Sequence, residues 1–294
     1  MATRRFPEVS RPVLDLSVVV PVRNAALFVD DCLASIVRAE PREIIVVDGN
    51  STDRTLDIAR RHPVRILSDD GQGVAAARMI GARAASCPAV ALIDVDIVLP
   101  DGALQALFDE FREGRYTALQ AGLRSTAGPG YWGRALVYHH NNGRSKHWPG
   151  VMATIFDRDA LLRHGLDASF LSGEDIELRW RLQRANANLG VSQQTIVTHR
   201  FDDTFDCARG QFAADGQGLA RMVLKYRWRA GLLLAIPAAG AVRGIGLSLI
   251  RRDFRWTPYY LAYGALNYAA IVGTLFDQLR PRGGQPRRVD YGQA

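Results

Sequence analysis

The stretch Ala89-Val-Ala-Leu-Ile-Asp-Val-Asp-Ile-Val-Leu-Pro100 constrains the fold more than any other part of the chain. Its first five residues are small or apolar without a break, the pattern of a strand buried on both faces. A strand of that kind needs a sheet on either side and helices above and below it. The run leads straight into Asp94-Val95-Asp96. Two carboxylates one residue apart repel each other unless a cation or hydrogen-bond donors hold them. A hard divalent ion such as Mn²⁺ or Mg²⁺ takes carboxylates together with phosphate oxygens. The triplet therefore reads as a metal and diphosphate site at the end of a central strand. The plainer reading is an acidic loop in which Asp96 or Asp101 caps the next helix.

The flanking sequence supplies the sheet and the helices. Apolar runs predict strands at 16–20, ended by Pro21, and at 43–47, 64–67, 118–122 and 152–156. Helical spacing predicts helices over 26–39, 52–62, 73–85, 101–113, 157–163 and 174–185, with edge strands at 189–191 and 195–198. Strands alternating with helices give an α/β fold with a mostly parallel sheet flanked by helices, joined by right-handed crossovers. Residues 124–150 break the rhythm and read as a loop-rich insertion with a short helix near 132–140. Its aromatic residues, with His139, His140 and His147, either touch an acceptor or simply pack.

In an open α/β sheet, ligands bind beyond the carboxyl ends of the strands. Here those ends are chemically distinctive. The first strand runs into Pro21-Val22-Arg23-Asn24, and the second into Asp48-Gly-Asn-Ser-Thr-Asp53-Arg-Thr55. The third opens into Asp69-Asp70-Gly71-Gln72-Gly73, with Arg78 on the helix that follows. Each piece alone is a turn or a helix cap. Four at consecutive strand ends need more than turns. A dinucleotide dehydrogenase is excluded, because the first strand is not followed by Gly-x-Gly-x-x-Gly.

At these residues the chain resembles the family 2 glycosyltransferases, which have the Rossmann-like GT-A fold. The resemblance rests on Pro21 to Asn24, the Asp48–Thr55 loop, Gly73-Val-Ala-Ala-Ala-Arg78, Asp94 and Asp96, and Gly173-Glu174-Asp175, with the family arginine at Arg181. It covers about residues 15–200. It implies an inverting enzyme that moves one sugar from a nucleotide-diphosphate sugar with a divalent cation, Mn²⁺ or Mg²⁺. By the same resemblance Asp175 is the general base. Asp96 is the first choice of metal ligand, with Asp94 at the ribose or the metal, and His199 at the metal or the diphosphate. Pro21, Arg23, Asn24, Asp48, Asp53 and Arg78 belong to the donor side, Asp48 accepting from the base N–H and Asp53 supporting its loop. Glu174, Trp148 and Arg181 are assigned to the acceptor. There are departures: Gly49 stands where many relatives carry a second acid, Arg54 replaces a usual glycine, and the Gln-x-x-Arg-Trp pattern of processive synthases is absent. Single additions are therefore expected.

The charge distribution bears on partners. Residues 200–294 hold 14 Lys/Arg and 7 Asp/Glu, which leaves 23 of each for the rest. Long apolar stretches at 230–250 and 257–276 are flanked by arginines, which favours a membrane surface over nucleic acid. A spanning hairpin would put the middle arginine cluster on the far side, against the positive-inside rule. The expected division is an N-terminal arm at 1–14, a GT-A domain at 15–209, and a basic, apolar helical region at 210–294 that associates with the membrane. Three widely spaced cysteines point to a reducing compartment, and no signal peptide is read at the N-terminus. The location expected is the cytoplasmic face of the cell membrane, the acceptor a lipid-linked or cell-envelope glycan. Self-association stays open. Two alternatives remain beside this reading: a sugar nucleotidyltransferase on a similar fold, which would want a basic Gly-rich loop after the first strand, and a non-catalytic nucleotide-sugar-binding protein.

Overall fold

The computed structural model describes residues 14–142, 149–170 and 172–279. The first half alternates as expected: β1 (Leu14–Val22), α1 (Val29–Val37), β2 (Pro41–Asp48), α2 (Thr55–Ala59), β3 (Arg65–Ser68), α3 (Val74–Ala84) and β4 (Ala89–Leu92). The second half runs β5 (Ile97–Val98), α4 (Ala103–Glu113), β6 (Ala118–Ala127), α5 (Tyr131–Asn142), β7 (Thr154–Asp157), α6 (Arg158–His164), α7 (Glu174–Arg184) and β8 (Leu189–Phe201). Helices α8 (Phe205–Tyr226), α9 (Ile236–Ile250) and α10 (Thr257–Leu279) follow, with 3₁₀ segments at Arg227–Ala235 and Phe254–Trp256.

Among the described residues one sheet forms, in the order β3-β2-β1-β4-β7-β6-β8-β5. The β3 to β4 half is parallel, while β7 runs antiparallel to both β4 and β6, and β5 antiparallel to β8. The sheet is thus mixed: parallel pairing dominates only its first half. The side chains of β1 alternate between two cores. Val18, Val20 and Val22 pack under α1 and α4, and Val19 packs with Ala75, Ala77 and Met79 of α3. That double burial is why the strand reads as an unbroken apolar run.

Three boundaries differ from the sequence reading. Pro21 does not end β1; it pairs with Val47 inside the strand. Its missing N–H would point toward β4, whose pairing with β1 has stopped by Val19 and Leu92, so no ladder bond is lost. Helix α2 is far shorter than expected, because Thr52 and Asp53 are engaged in loop hydrogen bonds. The boundary expected between residues 209 and 210 falls inside α8. Thr204 caps this helix by accepting from the Cys207 amide, so the helical region starts just after β8.

Helix α8 ties the helical layer to the sheet domain. Gly173 sits at φ +80 and its Cα lies against Gly218; a Cβ on Gly218 would come within 2.8 Å of the Ser172 carbonyl. Helix α10 packs on α8 and α5 through Tyr259, Tyr260 and Tyr263, beside Phe212, Ala135 and Leu136. The helical stretch Phe205–Ile250 contains an 18-residue window of mean hydropathy 1.8, long and apolar enough to cross a membrane, with 17% of the window buried.

Candidate active site

Asp96 and His199 meet because β5 pairs antiparallel with β8, setting Ile97 opposite His199. Strand β4 stops at Leu92, and a turn closed by Ile97 N–H donating to the Asp94 carbonyl carries both acids. His199 Nε2 lies 3.2 Å from Asp96 Oδ2. The other heteroatoms of the pair, Asp96 Oδ1 and His199 Nδ1, are buried without a hydrogen-bond partner among the described residues. Burial disfavours the imidazolium, but the Asp96 carboxylate outweighs it and raises the His199 pKa. Orphaned oxygen and nitrogen donors on a buried pair fit a divalent cation. Among the described residues no third His, Cys, Asp or Glu joins them in a ready cluster, so such an ion takes its remaining ligands from substrate or water.

Asp94 is turned to a different task. Its Oδ1 accepts from Arg78 Nη2 at 2.6 Å, and Arg78 Nη1 donates to Glu174 Oε1 at 2.5 Å. Arg78 is 3% exposed. Burial disfavours its charge, but Asp94 and Glu174 more than offset that and hold its pKa above the ordinary arginine value. One buried guanidinium thus joins the acid after β4 to the first residue of α7. Glu174 is Arg78's buried partner; its assignment to the acceptor is corrected, because its carboxylate is taken up inside.

Asp175, the next residue, is half-buried, and its charge acts on Arg179 one turn along α7. A Cβ placed on Gly150 would lie 3.2 Å from Asp175 Oδ2 and 3.1 Å from Gln120 Oε1, so glycine lets the chain pass close to this carboxylate. The Gly150 amide donates to Gln120 Oε1 at 2.5 Å and fixes that approach. Arg181 lies elsewhere. It forks onto the fully buried Glu177 at 2.6–2.9 Å and donates to the carbonyls of His164 and Gly165. With its donors spent between α6 and α7, Arg181 is a structural clamp, and its assignment to the acceptor is corrected. Trp148 and His147 lie outside the described residues.

The donor-side loops hold one another. Asn24, in the left-handed region at φ 47, accepts through Oδ1 from the Thr52 amide at 2.8 Å, and its own amide donates to Ser51 Oγ at 3.0 Å. Asp48, 7% exposed at the end of β2, accepts from the Ser51 amide with both oxygens. Asp53 accepts from Thr55 and from the Ala26 amide. Burial pushes its carboxyl up, but these bonds outweigh it and leave the pKa lowered. Arg23 lies beside Gly49, and Pro21 stays in the strand.

Two further features lie near the site. The first is that His139 and His140 pack, one of the two readings the sequence left open. His139 sits among the rings of Tyr259, Tyr260 and Tyr263, and His140 lies 6.1 Å from His199 and 4.8 Å from Phe201. Burial, with His139 and His199 nearby, pushes His140 down to about 3, so it stays neutral. The second is Asp215 on α8. Burial and then the nearby Asp175 raise its carboxyl, against a hydrogen bond from Gln211, to about 7. The one signal for it in the sequence is a lone acid within the run Phe212-Ala-Ala-Asp-Gly.

Carboxylates gathered at the strand ends of this mixed α/β sheet place the chain among glycosyltransferases of the GT-A fold. More closely, residues 17–166 match the family described as Glycosyl transferase family 2, and the chain belongs to that family. It is 26% identical over 280 residues to the succinoglycan biosynthesis protein ExoA of Rhizobium meliloti, covering 84% of each chain. Its fold is similar to the mannosyltransferase PcManGT from Pyrobaculum calidifontis, solved with GDP-Man and Mn²⁺, at a TM-score of 0.62 and 20% identity over 90% of this chain and 88% of the other. It is also similar to TarS 1–349 of S. aureus with UDP-GlcNAc, at a TM-score of 0.53 and 15% identity over 90% and 92%.

Proposed function

We propose that this glycosyltransferase moves a single sugar, with inversion, from a nucleotide-diphosphate sugar to a lipid-linked or cell-envelope glycan. The observation that carries the reading is the Asp96–His199 pair with its orphaned atoms, beside an Asp94–Arg78 bridge to Glu174, the residue next to Asp175. Asp96 and His199 would hold the divalent cation, which when bound offsets charge on the departing diphosphate. Asp48 receives the base N–H, and Asn24 and Asp53 keep its loop in place. Arg78 fixes Asp94 so that its free oxygen faces the donor.

Asp175 accepts the proton of the acceptor hydroxyl. It lies in the first turn of α7, at the positive end of the helix, where a negative charge is favoured. The acceptor oxygen bonds to the anomeric carbon as the bond from that carbon to the diphosphate oxygen breaks. Attack from the face opposite the leaving group inverts the centre.

The acceptor class is supported by the succinoglycan biosynthesis relative and by the helical layer. Leu232 and Ile250 are 87% and 81% exposed, and Val242, Phe254, Leu261 and Phe276 are also bare. Large apolar side chains in that number fit the headgroup boundary of a membrane. The tyrosine face of helix α10 packs on α8 and α5, which supports a layer lying on the leaflet. The arginines around it suit the anionic cytoplasmic face.

The test is Asp175→Asn. Donor affinity should stay near wild type while transfer falls by roughly 10²–10⁴, the scale of losing a general base. Both are measured on one preparation; near-normal transfer would remove Asp175 from the role.

A further inference from the structure

A cleft of about 670 Å³ opens between the free edge of β6, helix α5 and the turn that leads into α10. Its floor adjoins the candidate metal pair. Ser125, Thr126 and Ala127 line it, and they pair in register with His199, Arg200 and Phe201 of β8. The outer edge of Ser125 is closed by a side chain: the Asn141 amide accepts from the Ser125 N–H and donates to its carbonyl, both at 3.2 Å.

The wall is aromatic and rigid. The Trp256 ring lies between Tyr131 and Tyr138, with centroids at 6.0 and 5.1 Å and interplanar angles of 29° and 17°. Both phenol oxygens are engaged, Tyr131 donating to the Arg255 carbonyl and Tyr138 accepting from Arg251. The cleft is also cationic. Arg255 is forked onto Asp253; Arg134 lines the cleft and Arg251 reaches its rim by donating to the Tyr138 hydroxyl, and neither makes an ion pair among the described residues. Just before the turn, Leu249, Ile250 and Phe254 are exposed and form an apolar shelf.

A rigid cavity with unneutralised guanidinium groups suits a phosphate, whose oxygens match the guanidinium fork. An apolar shelf beside it suits a hydrocarbon chain on the same molecule. A volume of this size holds a headgroup rather than a lone ion. We propose that the cleft binds the phosphate-bearing head of a lipid-linked acceptor, with Arg134 and Arg251 on the phosphate oxygens and the lipid lying along Leu249, Ile250 and Phe254. This rests on the transferase reading above, which it extends by giving the acceptor a site one strand away from His199.

The full-length protein in mild detergent tests it. Farnesyl diphosphate is titrated calorimetrically in EDTA, so that no cation can recruit a diphosphate to Asp96. Inorganic pyrophosphate and farnesol are the comparison ligands. The joined molecule should bind about tenfold or more tighter than either part, and Arg134→Gln with Arg251→Gln should weaken it about ten- to a hundredfold. Lysine at both positions should retain most of the affinity. Equal affinity for pyrophosphate and farnesyl diphosphate would overturn the proposal, as would an affinity that the glutamine pair leaves unchanged. Mn²⁺-dependent binding of UDP and GDP is measured on the same proteins. Its persistence in the glutamine pair shows that only the cleft was altered; its absence in the wild type counts against the transferase reading instead.

Discussion

At the ends of β1, β2 and β4 the acids and amides satisfy one another: Asp48 holds Ser51, Asp53 holds Thr55 and Ala26, and Arg78 joins Asp94 to Glu174. Over residues 224–276 the arrangement is reversed. Tyrosines and small residues fill the inner face, and Trp228, Leu232, Val242 and Ile250 are left bare. The strand ends form a polar network that is preorganised before any ligand arrives and that leaves Asp96 Oδ1 and His199 Nδ1 open. The helical layer is apolar on two sides and covers only one of them. The difference teaches that the two regions should fail differently: the first from within, the second through what it touches.

The largest effect is expected from breaking the polar network. Arg78→Met leaves Glu174 buried beside Asp94 with no counter-charge, which should cost about 3–5 kcal/mol of stability by chemical denaturation. Arg78→Met with Glu174→Gln should recover much of it, since the stranded charge is gone. A single variant as stable as wild type would show that the strand ends do not depend on this bridge.

Next comes Asp96→Asn. It should weaken Mn²⁺-dependent nucleotide binding by at least the ~10–100-fold seen for lost outer-shell partners of a metal. The melting temperature should move little, since the asparagine oxygen can still accept from His199 Nε2 and Asp96 Oδ1 has no partner to lose. Calorimetric titration with and without Mn²⁺ reads it.

A smaller effect is expected at the open layer. Ile250→Glu should lower co-sedimentation with anionic vesicles about tenfold, from the lost burial of one apolar side chain, with folding unaffected. Undiminished binding would mean that the bare side chains do not meet lipid.

The last concerns Asp215, where the two regions touch. Asp175, Tyr259 and Tyr263 lie close enough to act on its charge or be acted on by it. Its folded pKa of about 7 stands above the ordinary ~3.9. The stability it contributes is therefore complete below about pH 4 and lost as the pH rises through about 7. Asp215→Asn removes that loss, so its melting temperature at pH 8 should exceed the wild type's by about 2–4 °C per kcal/mol regained. Parallel pH profiles for the two proteins would show that Asp215 does not titrate in this range.

Much of the parallel half was legible because strands buried on both faces leave continuous apolar runs, and the loops between them carry short, ordered motifs. Strand β8 was not legible as one element. Its polar Ser192-Gln-Gln194 reads as a break, yet it is an irregularity within the strand, where the Ser192 hydroxyl accepts from the Gln194 and Thr195 amides. The two-residue β5 is too short to leave a pattern, though its pairing is what seats Asp96 by His199. The roles of Glu174 and Arg181 were misread for a related reason. Both are charged residues on a helix beside a motif, and only their partners, Arg78 and Glu177, show that they point inward.

The pairing of β5 with β8 has a consequence for the order in which the molecule is made. Asp96 and His199 are 103 positions apart, and Arg78 and Glu174 are 96. As the chain leaves the ribosome, β1 to β4 are complete well before either partner exists, and sequence-distant contacts are the slow ones to close. The family match ends at residue 166, ahead of Glu174, Asp175 and His199. A chain stopped there would have the strand ends proposed to hold a nucleotide, but neither the carboxylate nor the histidine proposed to act in transfer. On the proposed roles, a growing chain would gain activity only once β8 is laid down.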